Sequence, residues 1–148
     1  MLAAGDRVPE ATVQNDAGEA VSLSDLGRAV LYFYPKADTP GCTNESQQFR
    51  DLYAKFQKAQ TEVIGVSRDA IAAQKNFRDK YGLPFHLIAD VESVLCNAFG
   101  VVVEKNTNGK KTLGIQRSTF LLERGKIVRV WPKVSVEGHA AEVLSSLS

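Results

Sequence analysis

The chain is expected to form a mixed α/β sheet covered on both faces. Apolar runs of strand length alternate with stripes of helical period, a strand–turn–strand pattern follows, and a helical stripe closes the sequence. Its 148 residues suit one domain, taken as 1–148.

The opening segment alternates loosely around Val13, turns at Asp16-Ala17-Gly18 and resumes at Val21 and Leu23, which reads as an N-terminal hairpin. Ala29-Val30-Leu31-Tyr32-Phe33-Tyr34 is an unbroken apolar and aromatic run ended by Pro35, suited to a strand buried on both faces. Beyond Pro40, residues Phe49, Leu52, Tyr53 and Phe56 fall on one helical stripe. Val63-Ile64-Gly65-Val66 is a second buried strand. The stretch 70–81 is helical through Ala73, Phe77 and Tyr81, and is stopped by Gly82 and Pro84. Phe85-His86-Leu87-Ile88 is a third, short strand, in which His86 is expected in the core. Asp90 is expected to cap a short helix with the stripe Val91, Val94, Leu95, Ala98 and Phe99. The polar stretch from Val101 to Leu113 reads as a solvated loop. Thr119–Leu122 and Ile127–Trp131 flank a Gly-containing hairpin turn, and a last helix, which His139 opens, carries Ala140, Val143, Leu144 and Leu147.

Composition narrows the function. Eighteen basic and seventeen acidic residues leave a net charge of +1, without the basic stripe of a nucleic-acid binder. No apolar run reaches the ~18–20 residues of a membrane helix. The N-terminus lacks the basic-then-apolar pattern of a signal peptide. Two cysteines, Cys42 and Cys96, are too few for a disulfide scaffold. A cytoplasmic protein is expected, and in that compartment a cysteine of interest is chemical rather than architectural.

The chemistry concentrates in Tyr34-Pro35-Lys36-Ala37-Asp38-Thr39-Pro40-Gly41-Cys42-Thr43-Asn44-Glu45, where a buried strand hands over to a helix. Functional groups of α/β sheets gather at the carboxyl ends of strands. Thr39 is a natural N-cap and Pro40 suits the first helical position. Cys42 then falls in the first turn, where free N–H groups and the positive end of the helix dipole stabilise a thiolate.

Pro35, Thr39 and Cys42 stand in a Pro-x-x-x-Thr-x-x-Cys pattern that resembles the peroxidatic motif of peroxiredoxins. The flanking Phe33-Tyr34-Pro35-Lys36, Glu45, Phe49-Arg50-Asp51, Gly65-Val66-Ser67-Arg68-Asp69 and Arg117-Ser118-Thr119-Phe120-Leu121 resemble the bacterioferritin-comigratory, or PrxQ-type, branch. The resemblance runs from about residue 3 to 147. It implies a thioredoxin-like fold and a thiol-dependent peroxidase acting on hydrogen peroxide or organic hydroperoxides, with no cofactor or metal and with thioredoxin or another thiol as reductant. By the same resemblance Cys42 is the peroxidatic cysteine, Thr39 orients the peroxide, Arg117 stabilises thiolate and transition state, Pro35 shields the pocket, and Glu45 positions the arginine. A monomer or small dimer is expected, since no long C-terminal extension is present.

The sequence departs from the branch at its second cysteine. The position five residues after Cys42 is Gln47, and the alternative position in the next helix is Arg78. Cys96 is the remaining candidate to resolve a sulfenic acid on Cys42. At 100° per residue it falls off the apolar stripe and beside Glu92 and Ser93, on the polar flank of its helix. Direct reduction of Cys42 by an external thiol is the alternative.

Rival readings fit less well. A disulfide reductase needs Cys-x-x-Cys, and Glu45 fills the second position. A cysteine hydrolase needs a histidine base, and neither His86 nor His139 lies in a partner motif. No cysteine–histidine pair has zinc-ligand spacing. A stoichiometric redox sensor or holdase would use the same thiolate.

Overall fold

The computed structural model describes residues 1–147, with Thr107 described by its backbone alone; Ser148, the end of the expected domain, lies outside them. Strands β1 (Thr12–Asn15) and β2 (Ala20–Ser22) form the N-terminal hairpin. Then come β3 (Arg28–Phe33), α1 (Pro40–Lys58), β4 (Glu62–Ser67), α2 (Ile71–Tyr81), β5 (Leu87–Ala89) and α3 (Val94–Phe99). The chain closes with β6 (Val102–Thr107), β7 (Lys110–Ile115), β8 (Ser118–Glu123), β9 (Lys126–Trp131) and α4 (His139–Ser145).

Seven strands make one mixed sheet in the order β2-β1-β5-β4-β3-β8-β9. The fully apolar run predicted for β3 is explained by its place: it pairs parallel with β4 and antiparallel with β8. Because side chains alternate along a strand, β3 feeds two cores. Val30, Tyr32 and Tyr34 pack with Phe49 and Phe56 of α1, Phe77 of α2, and Ala140 and Val143 of α4. Leu31 and Phe33 face the other way, among Ile64, Val66, Phe120, Leu95, Phe99, Val101 and Ile115. The sheet is thus covered by α1, α2 and α4 on one face and by α3 with the base of β6–β7 on the other.

Tyr32 anchors α1 to the sheet. Its ring stacks on Phe49 at 4.7 Å and its hydroxyl is 2.9 Å from Ser46 Oγ. Gly65 makes this possible, because a Cβ there would stand 2.8 Å from the Tyr32 hydroxyl and 2.7 Å from Leu87 Cδ2. Gly65→Ala is therefore expected to destabilise the fold by about 1–3 kcal/mol, the usual cost of overpacking. Urea denaturation would read it as a lower midpoint at an unchanged slope.

Four expectations are corrected. The polar stretch from Val101 to Leu113 is not a loop: β6 and β7 form a separate two-stranded hairpin. Its turn, Asn108-Gly109, has φ of +53° and +78°, the pairing demanded by a tight type I′ connection. The short helix begins at Val94, not Val91, because Ser93 takes a left-handed φ of +57°. Val91 and Val94 are then 53% and 46% exposed, while Leu95, Cys96 and Phe99 form the buried face. Cys96 is accordingly at 0% exposure in the core and not on a polar flank. Asp90 does serve this helix, accepting from the Leu95 and Cys96 N–H groups at 3.1 and 2.8 Å. His86 does not lie in the core as expected, while His139 opens α4 as expected. His86 is exposed, 3.0 Å from Asp16, whereas His139 is buried with Nε2 2.8 Å from Thr119 Oγ1.

Candidate active site

The strand-to-helix handover sits at the carboxyl end of β3 with Pro35 half-buried at its start. The loop that follows is pinned from two sides. Asp69, just beyond β4, accepts from the Ala37 N–H at 2.8 Å and from Ser67 Oγ at 2.6 Å. Asp38 holds a left-handed φ of +59° while accepting from Lys80 Nζ at 2.9 Å and Tyr81 Oη at 2.5 Å on α2. These partners fix the direction in which α1 starts. Asp69 lies in a segment already singled out by resemblance, but its contact with Ala37 spans 32 residues and has no local signature.

Thr39 is the N-cap residue, as expected, with extended backbone angles and Pro40 next. Its hydroxyl does not cap the helix; it donates to the Lys36 carbonyl at 2.8 Å. With no side-chain cap on the first turn, the helix N-terminus keeps its positive potential for another acceptor. Cys42 stands in that turn at 1% exposure.

Arg117, between β7 and β8, reaches Cys42 across 75 residues of sequence. Its Nη2 donates to Cys42 Sγ at 3.3 Å, and its Nη1 donates to Glu45 Oε1 at 2.8 Å. One planar guanidinium thus spans the sulfur and the carboxylate one helical turn later. Its carbonyl accepts from the Val134 N–H at 3.0 Å, and Ser118 Oγ ties Gln116 to Pro132. The arginine side chain is 17% exposed, and Glu45 is at 0%. Burial opposes the charge on Arg117, but Glu45 and Cys42 outweigh it and hold the guanidinium protonated. Burial pushes the Glu45 carboxyl up to about 7 against the pull of Arg117, and its Oε2 has no partner.

Of the residues singled out in the sequence, Cys42, Glu45 and Arg117 converge, with Thr39 at the cap and Pro35 at the strand end. Cys96 is elsewhere, in the core on the opposite face of the sheet. Burial and the neighbouring Asp90 hold its thiol far above the ordinary cysteine range. Among the described residues, no group of three or more His, Cys, Asp or Glu side chains is placed to hold a metal ion. No helix among them is long and apolar enough to cross a membrane.

Between about pH 4 and 7 the pH dependence of stability is set by two buried groups with opposite signs. Glu45 holds a proton more tightly folded than unfolded, so its contribution is intact below about 4.5 and is lost as pH rises through about 7. The change is about 3 kcal/mol. Burial lowers His139 to about 4, so its contribution is present above 6.5 and is lost as pH falls through about 4. The two slopes oppose each other between about 4.5 and 6.5. Glu45→Gln is expected to expose the His139 slope, making the variant lose stability on acidification over that window. Melting temperatures at half-unit pH steps would test this; parallel profiles for variant and wild type would refute it.

Comparison with known proteins places this geometry. Residues 4–130 match the model of the AhpC/TSA family. The chain is 49% identical over 146 residues to a putative peroxiredoxin bcp of Coxiella burnetii, covering 97% of each. It is 44% identical over 146 residues to peroxiredoxin Bcp of Bacillus subtilis, covering 97% of this chain and 93% of that one. Among solved structures, a cysteine-to-serine mutant of Xylella fastidiosa PrxQ superposes with a TM-score of 0.94 at 37% identity, covering 99% of this chain and 96% of that one. The Xanthomonas campestris bacterioferritin comigratory protein, studied for alkyl peroxide reduction through trapped intermediate and ligand complexes, gives 0.89 at 42% identity, with 96% and 97% coverage. The chain belongs to the AhpC/TSA family, in its Bcp/PrxQ peroxiredoxin branch, with the thioredoxin-like fold of that branch, and is a thiol-dependent peroxidase using a peroxide as oxidant and a thiol as reductant.

Proposed function

We propose that Cys42 is the sulfur that attacks the peroxide, and that Thr39, Arg117, Glu45 and Pro35 complete the site. The observation that carries this reading is the 3.3 Å contact from Arg117 to Cys42 Sγ, with the second guanidinium nitrogen locked on Glu45. Attack forms an S–O bond and breaks the O–O bond. The departing oxygen gains the electron pair and leaves, protonated, as water or an alcohol, and Cys42 becomes a sulfenic acid. Charge builds on that oxygen as the bond breaks. A preorganised donor costs no reorganisation at that moment, and such electrostatic stabilisation is usually the largest catalytic term.

Each remaining residue has a physical role. Glu45 is a positioning residue: its bond to Nη1 fixes the plane of the guanidinium, so Nη2 meets the sulfur. The Thr39 hydroxyl, anchored on Lys36, has lone pairs left for a peroxide proton. Pro35 contributes an apolar wall with no N–H to compete for the substrate. The fold acts as one domain, cytoplasmic, as a monomer or small dimer, on hydrogen peroxide and organic hydroperoxides, with thioredoxin or a comparable thiol as reductant.

Sulfenic acid trapping tests this assignment. With a dimedone-type probe present, one equivalent of peroxide is expected to label Cys42 and to leave Cys96 unlabelled. Label on Cys96 alone would overturn it.

A further inference from the structure

Reduction of the sulfenic acid has two possible sulfur sources, Cys96 of the same chain or a thiol from outside. We infer that the resolving sulfur comes from outside the chain, as a small thiol or the exposed thiol of a reductant protein, and that Cys96 takes no part. This rests on Cys42 being the peroxidatic residue.

The obstacle to an internal disulfide is topological. Cys42 packs with Val30, Tyr32 and Tyr34 on one face of β3, and Cys96 packs with Leu31 and Phe33 on the other. The sheet lies between the two sulfurs. Packed layers of secondary structure are about 10 Å apart, whereas a disulfide needs Cα atoms within ~4.4–6.8 Å. The strand between them is no edge, since β3 is paired on both sides along its length. A bond would have to pass around the end of the sheet.

Both partners are also tied down. Bringing Cys42 round would unwind the first turn of α1, breaking the Thr43-to-Thr39 backbone bond at 2.8 Å and both Arg117 contacts. It would pull the fully buried Glu45 and Ser46 from the core. Cys96 would need separate release. Asp90 accepts from its N–H, its carbonyl accepts from the Val101 N–H at 3.0 Å, and its neighbours Leu95 and Phe99 are at 0% exposure. Relocating only one helix therefore does not join the sulfurs. An external thiol needs only to reach the mouth of the Cys42 site.

The external thiol attacks Cys42 sulfenic acid, an S–S bond forms, the S–O bond breaks, and water leaves. A second thiol attacks the mixed disulfide and regenerates the Cys42 thiol. Two thiols lose two electrons, which the peroxide gains.

The test is intact mass under non-reducing conditions on the wild-type protein. After one equivalent of hydrogen peroxide without thiol, a gain of one oxygen on Cys42 is expected. Added glutathione is then expected to give a mixed disulfide on Cys42, and a reduced dithiol protein offered instead is expected to return the starting mass. Whichever is faster identifies the source. Cys96→Ser is expected to keep its turnover with the better donor within twofold. A Cys42–Cys96 disulfide in one chain, or a covalent dimer through Cys96, would overturn the inference alone. A Cys42 left unoxidised would overturn the peroxidatic assignment beneath it.

Discussion

Cys42→Ser is expected to reduce peroxide consumption to the rate of the thiol reductant alone. Serine is close to cysteine in size, and its hydroxyl can still accept from Arg117, so the buried site keeps its polar partner. The chemistry does not survive the exchange. A serine hydroxyl is not ionised near neutrality, and its oxygen cannot take a second oxygen and pass it on as water, as sulfur does through the sulfenic state. Peroxide loss followed against time, with unchanged circular dichroism, measures this cleanly. Activity retained in Cys42→Ser would move the reaction to another residue.

Arg117→Ala has the second largest expected effect, about 10²–10³-fold in kcat/KM, the range for losing one preorganised donor at a developing anion. The loss comes in two parts, because the guanidinium serves both the sulfur and Glu45. With Arg117 gone, Glu45 loses the group that pulled its proton affinity down and becomes a neutral acid in the core. The fold therefore persists near neutral pH, and the defect is kinetic. Arg117→Lys separates the parts. An ammonium retains the charge but not the planar fork, so it cannot satisfy Cys42 and Glu45 in the same geometry. Its kcat/KM is expected to fall between alanine and wild type. Stopped-flow peroxide consumption for the three proteins gives the order, and a lysine variant equal to wild type would show that charge alone suffices.

How much of this was legible beforehand depends on the range of the interaction. The central strand was readable because a strand buried on both faces is apolar throughout, and Val30 to Tyr34 is. The start of α1 was readable because Thr39-Pro40 is a local signal, and Cys42 followed from it. His86 obeys the local alternation: with Phe85 and Leu87 facing inward, the residue between them turns outward. The position of Cys96 is not legible locally, because the phase of a six-residue helix depends on its first residue, and Ser93 moves that start by three. The β6–β7 hairpin was obscured by its polar composition, although Asn108-Gly109 is a strong turn signal. The braces on the active loop, Asp69 to Ala37 and Lys80 and Tyr81 to Asp38, lie 32 to 43 residues apart in sequence and only folding reveals them.

On the inference that the resolving thiol comes from outside, the partition formed by the sheet makes the lifetime of the oxidised protein a property of its surroundings. A chain carrying its own resolving thiol quenches itself at a fixed first-order rate, whatever the reductant supply. With the resolving thiol supplied from outside, as inferred above, quenching is second order, so a starved reductant pool leaves the oxidised sulfur waiting while more peroxide arrives, and each further encounter risks conversion to sulfinate. The protein then behaves as a fuse whose rating is set by the ratio of oxidant to reductant around it.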